Sequence, residues 1–299
     1  MLFSTLIALA AVLIVALPLA WKWGLGVARV GAAVIVLVVA SGLVVALPAS
    51  FVEIGTISAV LLVAFLALSL ALGALLFRFY RDPERNPPEG DGLVLSPADG
   101  EIVYVRESRG GYLPVSTKLG RDYSLQELTR TPLASDDAVV IGIGLSFLDV
   151  HVNRAPIDGR VTLLRRFAGR FGSLRRPEMV FENERVTLLI EGAGLELGVV
   201  LIASRLVRRI VSFVSEGQEL SRGDRIGMIR FGSQVDVVLP LREELKITIE
   251  PGQQVKAAES VIAMLERAEV APEPLDSSGE RADAAVHSPL RSEVEAQER

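Results

Sequence analysis

The stretch Arg225-Ile-Gly-Met-Ile-Arg-Phe-Gly232-Ser233-Gln-Val-Asp-Val-Val-Leu-Pro240 reads as two short β-strands that meet at a Gly-Ser pair. Branched and apolar residues fill Arg225–Phe231 and Val235–Leu239, and the glycine between them suits a bulge or bend. The same texture continues outward. Leu93–Leu95, Glu101–Val105, Ala138–Leu145, Arg160–Phe167, Arg185–Glu191, Leu195–Ile202, Arg209–Val214 and Leu245–Ile249 are short, rich in branched residues and separated by turn residues. This spacing predicts a mainly β domain over residues 93–265, a barrel or sandwich hybrid rather than a doubly wound α/β sheet. Helical signal in it is sparse, and Ser124–Leu128 reads as a turn.

A faint echo runs through this domain. Pro97-Ala-Asp-Gly-Glu-Ile-Val recurs as Pro156-Ile-Asp-Gly-Arg-Val, and Arg222-Gly-Asp-Arg-Ile-Gly-Met-Ile is loosely matched by Val255-Lys-Ala-Ala-Glu-Ser-Val-Ile-Ala-Met-Leu. An Asp-Gly turn followed by a branched strand is a hairpin element, although two short echoes do not establish a duplication.

Half of the 299 residues are hydrophobic, and the excess lies in residues 1–77, where the only charged side chains are Lys22, Arg29 and Glu53. Three apolar runs, Leu2–Trp21, Val30–Pro48 and Ile54–Phe77, are each about the ~20 residues a helix needs to cross a bilayer core. A cleaved signal peptide is the competing reading of the first run, but the basic segment it needs is absent. Lys22 and Arg29 flank the first connection, Glu53 lies in the second, and Arg78, Arg81 and Arg85 follow the third run. The positive-inside rule then predicts an external N-terminus and a cytoplasmic domain, integral to the cell membrane. A two-span version keeps the domain cytoplasmic only with an internal N-terminus. Residues 78–92, rich in Pro, Gly and charge, read as a linker.

The net charge of −5 comes from the tail, since residues 266–299 hold nine acidic and four basic side chains. The tail reads as a solvated, disordered extension, and no basic tract suggests a nucleic-acid partner. With no cysteine, disulfides, thiolate metal sites and a cysteine nucleophile are excluded.

Three segments carry chemistry. The first is Gly232-Ser233. As a structural pair it is a bulge; as a reactive pair, the missing glycine Cβ lets the serine oxygen approach the Gly232 carbonyl. Attack there turns the amide into an ester. Elimination across the serine Cα–Cβ bond then breaks the chain, and hydrolysis of the resulting imine, which releases ammonia, leaves a pyruvoyl group. The second segment is Phe147-Leu-Asp149-Val-His151-Val-Asn153-Arg154-Ala-Pro156, with the only histidine outside the tail. Along a strand, Asp149, His151 and Asn153 share one face and Arg154 points elsewhere, an expensive polar cluster to bury without purpose. The third, Ser96-Pro97-Ala98-Asp99-Gly100, is a turn whose spacing alone gives Asp99 no catalytic role.

Together, Phe79-Tyr-Arg-Asp-Pro-Glu-Arg, Ser96-Pro-Ala-Asp-Gly, Asp149-Val-His-Val-Asn-Arg-Ala-Pro and Gly227-Met-Ile-Arg-Phe-Gly-Ser, in this order, resemble the phosphatidylserine decarboxylase family, including short forms read as archaetidylserine decarboxylases. The resemblance covers about Arg78 to Leu265. It implies self-cleavage between Gly232 and Ser233 into two fragments that stay associated, a pyruvoyl group made from Ser233, and no metal. It further implies decarboxylation of a membrane serine phospholipid through a pyruvoyl Schiff base, with His151 in the chemistry and Asp99 at the processing site. Asp149, Asn153 and Arg154 are candidate substrate or processing contacts. Longer members resemble Asp-Tyr-His-Arg-Val-His, and their second histidine aligns with Arg154, whose guanidinium stays protonated and is a poor base. Either His151 then serves processing as well as turnover, or cleavage proceeds mainly through backbone strain. A membrane-anchored, lipoyl-like adaptor without catalysis is the alternative from another class; Lys256 is followed by Ala-Ala and lacks the setting of a carrier lysine.

Overall fold

The computed structural model describes residues 1–23, 25–49, 54–114, 123–174, 176–192, 194–204, 210–229 and 233–266. The acidic tail from 267 onward, expected to be disordered, lies outside the described residues, as does Gly232.

Three long helices come first: α1 (Leu2–Trp23), α2 (Val27–Ala49) and α3 (Thr56–Tyr80). All three are long and apolar enough to cross a membrane. They pack through small and branched residues, among them Ala8, Val12, Val34, Val38, Val63 and Ala67, which let the backbones approach. Leu2, Ile14, Leu43, Ile57, Phe65 and Phe77 face outward. Apolar surface on the outside of the bundle suits a lipid solvent.

The remaining elements are mostly strands: β1 (Leu93–Leu95), β2 (Gly100–Ser108), β3 (Tyr112–Leu113), β4 (Tyr123–Ser124), β5 (Ala138–Leu145), β6 (Val152–Arg154), β7 (Gly159–Phe167) and β8 (Arg185–Gly192). They continue with β9 (Leu195–Ile202), β10 (Ile210–Ser212), β11 (Glu219–Leu220), β12 (Arg225–Ile229), β13 (Ser233–Pro240), β14 (Leu245–Ile247), β15 (Gln254–Val255) and β16 (Val261–Leu265). Eight form one curled sheet in the order β11-β7-β8-β9-β13-β5-β2-β15, antiparallel throughout. Its concave core holds Ile102, Ile141, Ile143, Leu188, Ile190, Leu197, Val199 and Val237. A second cluster, with Leu128, Val140, Phe181, Val200, Ile202 and Val238, buries the other face of the central strands. Burial on both faces accounts for the uninterrupted apolar run of β5 and for the apolar stretches Leu197–Ile202 of β9 and Val237–Leu239 of β13.

Two short helices cover that second face: α4 (Leu125–Thr129) and α5 (Met179–Glu182). Where a turn is expected at Ser124–Leu128, α4 forms because Ser124 Oγ accepts from Glu127 N at 3.1 Å while Glu127 returns a bond to Ser124 N at 3.0 Å. The fully buried Arg185 closes the other end, donating to the Leu128 carbonyl at 2.6 Å.

The faint sequence echo is a structural repeat. Sheets β1-β16-β14 and β6-β12-β10 have the same strand arrangement, and β15 pairs with β2 as β11 pairs with β7. The two copies exchange reciprocal bonds: Leu95 N donates to Pro156 O and Arg154 N to Pro97 O, both at 2.9 Å. Matching contacts recur within each copy. Ala258 N binds Ser96 O and Gly223 N binds Ala155 O, both at 2.9 Å, while Asp99 Oδ1 accepts from Ala257 N as Asp158 Oδ1 accepts from Arg222 N, both at 2.8 Å. Gly100 and Gly159 are also equivalent: a Cβ at either would fall on a neighbouring strand's carbonyl oxygen, that of Gly144 or of Glu191. Because the repeat is held mainly by backbone bonds, it survives with little sequence identity. Its consequence for the site is that the Asp99 turn crosses directly against the strand after His151.

Candidate active site

Leu145 ends β5, and the chain then turns through Ser146–Asp149 before β6 begins. The sequence predicts Asp149 on one strand face with His151 and Asn153; the structure corrects this. Asp149 closes the turn, its N donating to Ser146 O at 3.1 Å and its Oδ2 accepting from Ser146 N at 2.6 Å. A short carboxylate that can satisfy a backbone N–H competes well with a strand ladder at such a position.

His151 is fully buried. Its Nδ1 lies 2.9 Å from the Asp149 carbonyl oxygen. A carbonyl can only accept, so Nδ1 carries the hydrogen and Nε2 keeps its lone pair. That Nε2 is buried and has no hydrogen-bond partner among the described residues. Burial pulls the imidazole pKa down to about 4, against the raising effects of the Asp149 backbone bond and carboxylate, with Arg81 lowering it further. His151 is therefore a neutral proton acceptor at pH 7. Asn153, also fully buried, places Nδ2 3.5 Å from Pro97 O and leaves Oδ1 without a partner among the described residues. Two orphaned acceptors within three residues are costly unless a donor visits them.

Ser233 reaches this neighbourhood through the backbone. Ile229, at the end of β12, donates its N–H to the His151 carbonyl at 3.2 Å, and Ser233 opens β13 opposite Leu145. The end of β12 is thus bonded to His151, and the start of β13 is paired with the residue before the His151 turn. The two acceptors without a partner among the described residues lie on the segment bonded to the end of β12, an environment that a visiting hydroxyl or amine donor would complete.

Asp99 and Arg154 are engaged elsewhere. Arg85 Nη2 donates to both Asp99 carboxylate oxygens at 2.9 and 2.8 Å, and its Nη1 lies 3.2 Å from Glu259. No hydrogen bond joins Asp99 to His151 among the described residues. Arg85, which by sequence follows the third span as one of a basic cluster, turns into the domain instead. Arg154 donates to Asp82 Oδ1, Pro83 O and Gly223 O, each at 2.9 Å. Asp82 and Glu84 also pair with Arg225. The segment read as a linker is thereby strapped to both copies of the repeat, with Arg154 as one buckle.

Sequence reasoning missed two further features. Phe79, in the last turn of α3, is fully buried, its ring centroid 4.1 Å from that of His151 and 5.7 Å from that of Phe147. Next to Ser233, Gln234 Nε2 donates to Tyr104 OH and to Asp236 Oδ1, both at 2.7 Å, while Tyr104 OH donates to Asp236 Oδ2 at 2.8 Å. Tyr104 spans β5 to reach Asp236 by lying over Gly142, where any Cβ would strike its ring. Burial pushes Asp236 up to about 6 and the Tyr104 phenol well above its ordinary value. The alternation of β13 hints at an inward Asp236, but its partner is more than a hundred residues away in sequence. Among the described residues, no group of three or more His, Cys, Asp or Glu side chains is placed to hold a metal ion.

Comparison with known proteins bears on this arrangement. A family model described as phosphatidylserine decarboxylase matches residues 72–263, a span that begins inside α3 and includes Phe79. A Methanothermobacter thermautotrophicus protein provisionally named archaetidylserine decarboxylase proenzyme is 38% identical over 190 residues, covering 64% of this chain and 80% of the relative. The phosphatidylserine decarboxylase proenzyme of Geobacter sulfurreducens is 37% identical over 188 residues, 62% of this chain and 76% of the relative. That of Azorhizobium caulinodans is 38% identical over 212 residues, 71% and 82%.

Proposed function

This chain belongs to the phosphatidylserine decarboxylase family, and we propose that it is made as a proenzyme that cuts itself between Gly232 and Ser233 and then removes carbon dioxide from a serine phospholipid. The observation that carries the reading is His151: buried, oriented by the Asp149 carbonyl, with an unpaired Nε2 beside the strand that leads to Ser233. The neutral form of His151 leaves Nε2 free to accept a proton in processing as well as in turnover, and Arg154, occupied by its ion pair with Asp82 and by two carbonyls, does not compete for that role.

In processing, Nε2 accepts the Ser233 hydroxyl proton as the oxygen attacks the Gly232 carbonyl. A buried imidazolium is a strong acid, so it hands the proton on to the departing nitrogen. The pyruvoyl group, once formed, supplies the carbonyl sink for the electron pair that carbon dioxide leaves on the substrate. In turnover, His151 Nε2 accepts a proton given up by the incoming substrate amine and returns it to the substrate carbon, and Phe79, Phe147, Val150 and Val152 keep bulk water from it. The Tyr104–Gln234–Asp236 network holds the new N-terminal strand in register after cleavage. Arg85 fixes Asp99 in the turn that packs against Asn153 and Arg154.

The three helices tether the domain to the bilayer that contains the substrate, with the domain on the cytoplasmic side as the basic residues after α3 favour. Residues 1–77 are the anchor, 93–265 the catalytic domain, and 266–299 an appended tail.

Two variants test the reading. Ser233→Ala is expected to purify as one inactive chain. His151→Ala is expected to stay uncut as well; a cleaved but inactive His151→Ala protein would confine His151 to turnover. Full decarboxylation by either variant would refute the assignment.

A further inference from the structure

We infer that Phe79 is a positioning residue for His151, so that the last turn of the third helix is part of the catalytic site as well as of the anchor. The inference rests on the reading that His151 handles the proton.

Helix α3 has 25 residues, about 37 Å at 1.5 Å per residue, longer than a hydrocarbon core of ~30 Å. Its final turn can therefore emerge from the bilayer into the domain. The neighbouring aromatic residues behave differently from Phe79: Phe77 is 76% exposed and Tyr80 48%, whereas Phe79 is 0% exposed. Phe79 enters a small cluster made by Val150, Val152 and Met228, with Phe147 against it. All but Met228 come from the segment around His151.

Within the cluster the Phe79 and His151 rings are tilted 37° to each other at 4.1 Å. The imidazole is thus held in two ways: at Nδ1 by the Asp149 carbonyl and over its face by Phe79. The first contact sets the tautomer. The second limits rotation and excludes water, keeping the Nε2 lone pair aimed and unsolvated. The charged groups acting on the ring are Asp149 and Arg81, and neither is altered by changing Phe79. What changes is burial, the largest cause of the depressed imidazole pKa.

The test uses the full-length protein in detergent and a short-chain, water-soluble serine phospholipid, so that delivery of substrate from the membrane is not measured. Cleavage and turnover are followed from about pH 4 to pH 8 for wild type, Phe79→Ala, Phe79→Leu and His151→Ala. In Phe79→Ala, kcat should fall by roughly tenfold or more with KM little changed. The acid limb of its profile should rise by about one pH unit or more, towards the ordinary histidine value. Phe79→Leu refills the cluster without a flat ring. It should keep the wild-type melting temperature within about 4 °C yet show a smaller loss and shift in the same direction, which answers the question even if Phe79→Ala does not fold. Wild-type kcat and pH limb in Phe79→Leu, with His151→Ala inactive, would overturn the role of Phe79 alone. An active His151→Ala would instead overturn the proton-handling reading beneath it.

Discussion

The Asp99 and Asp158 turns share a backbone and differ in their surroundings. Each aspartate accepts a backbone N–H at 2.8 Å from its partner turn, Ala257 in one copy and Arg222 in the other. Yet the Asp99 side chain is 12% exposed and paired with Arg85, itself 7% exposed, while Asp158 is 66% exposed and paired with Arg222. The partner turns differ likewise: Gly223 sits at φ +88°, and its counterpart Ala258 adopts φ +61° despite a Cβ. The chain leaving the membrane breaks the symmetry. Residues 82–85 cross both copies, bonding Arg154 and Arg225 in one and Asp99 and Glu259 in the other. A repeat that could have been two equal turns becomes one buried, charged turn packed against Asn153 and Arg154 and one surface turn.

Substitutions in the two turns and at their arginine partners should break this asymmetry to different degrees. Arg85→Met strands the buried Asp99 carboxylate and is expected to destabilise the domain by about 3–5 kcal/mol, seen as a melting-temperature drop of roughly 10 °C in detergent. Gly223→Ala combines a left-handed φ with a Cβ 2.7 Å from Pro87 Cγ, and should cost about 1–3 kcal/mol in the same assay. The reverse exchange, Ala258→Gly, relieves the same backbone strain but removes a buried methyl, so its net effect should stay below about 1 kcal/mol. Arg222→Met, which removes a partner from the exposed Asp158, should change stability by no more than about 1 kcal/mol. If Arg222→Met matched Arg85→Met, the difference in burial would not be what separates the two turns.

Much of this was legible in the sequence because it depends on local composition. Three nearly uncharged apolar runs mark the helices, and branched residues between turns mark the strands. The repeat was visible only as Pro-x-Asp-Gly and a loose match of Arg222–Ile229 with Val255–Leu265, since its equivalence lies in main-chain bonds that tolerate Ala257-Ala258 opposite Arg222-Gly223. His151 stood out as the one histidine outside the tail, but Asp149 was misplaced: strand alternation and an aspartate-closed turn look alike over five residues. Phe79 was legible only as the first residue of the motif Phe79-Tyr-Arg-Asp-Pro-Glu-Arg, and its apolar setting gave no sign that it, unlike the exposed Phe77, packs on His151. Arg85 and Tyr104 were invisible for another reason, because their partners are brought to them only by the fold.

The most direct test of the central claim is the intact mass of the purified wild-type protein. Self-cleavage at Ser233 predicts two fragments, residues 1–232 and 233–299, the second with a blocked N-terminus that lacks the serine amine. A single full-length chain that still decarboxylates a serine phospholipid would contradict it.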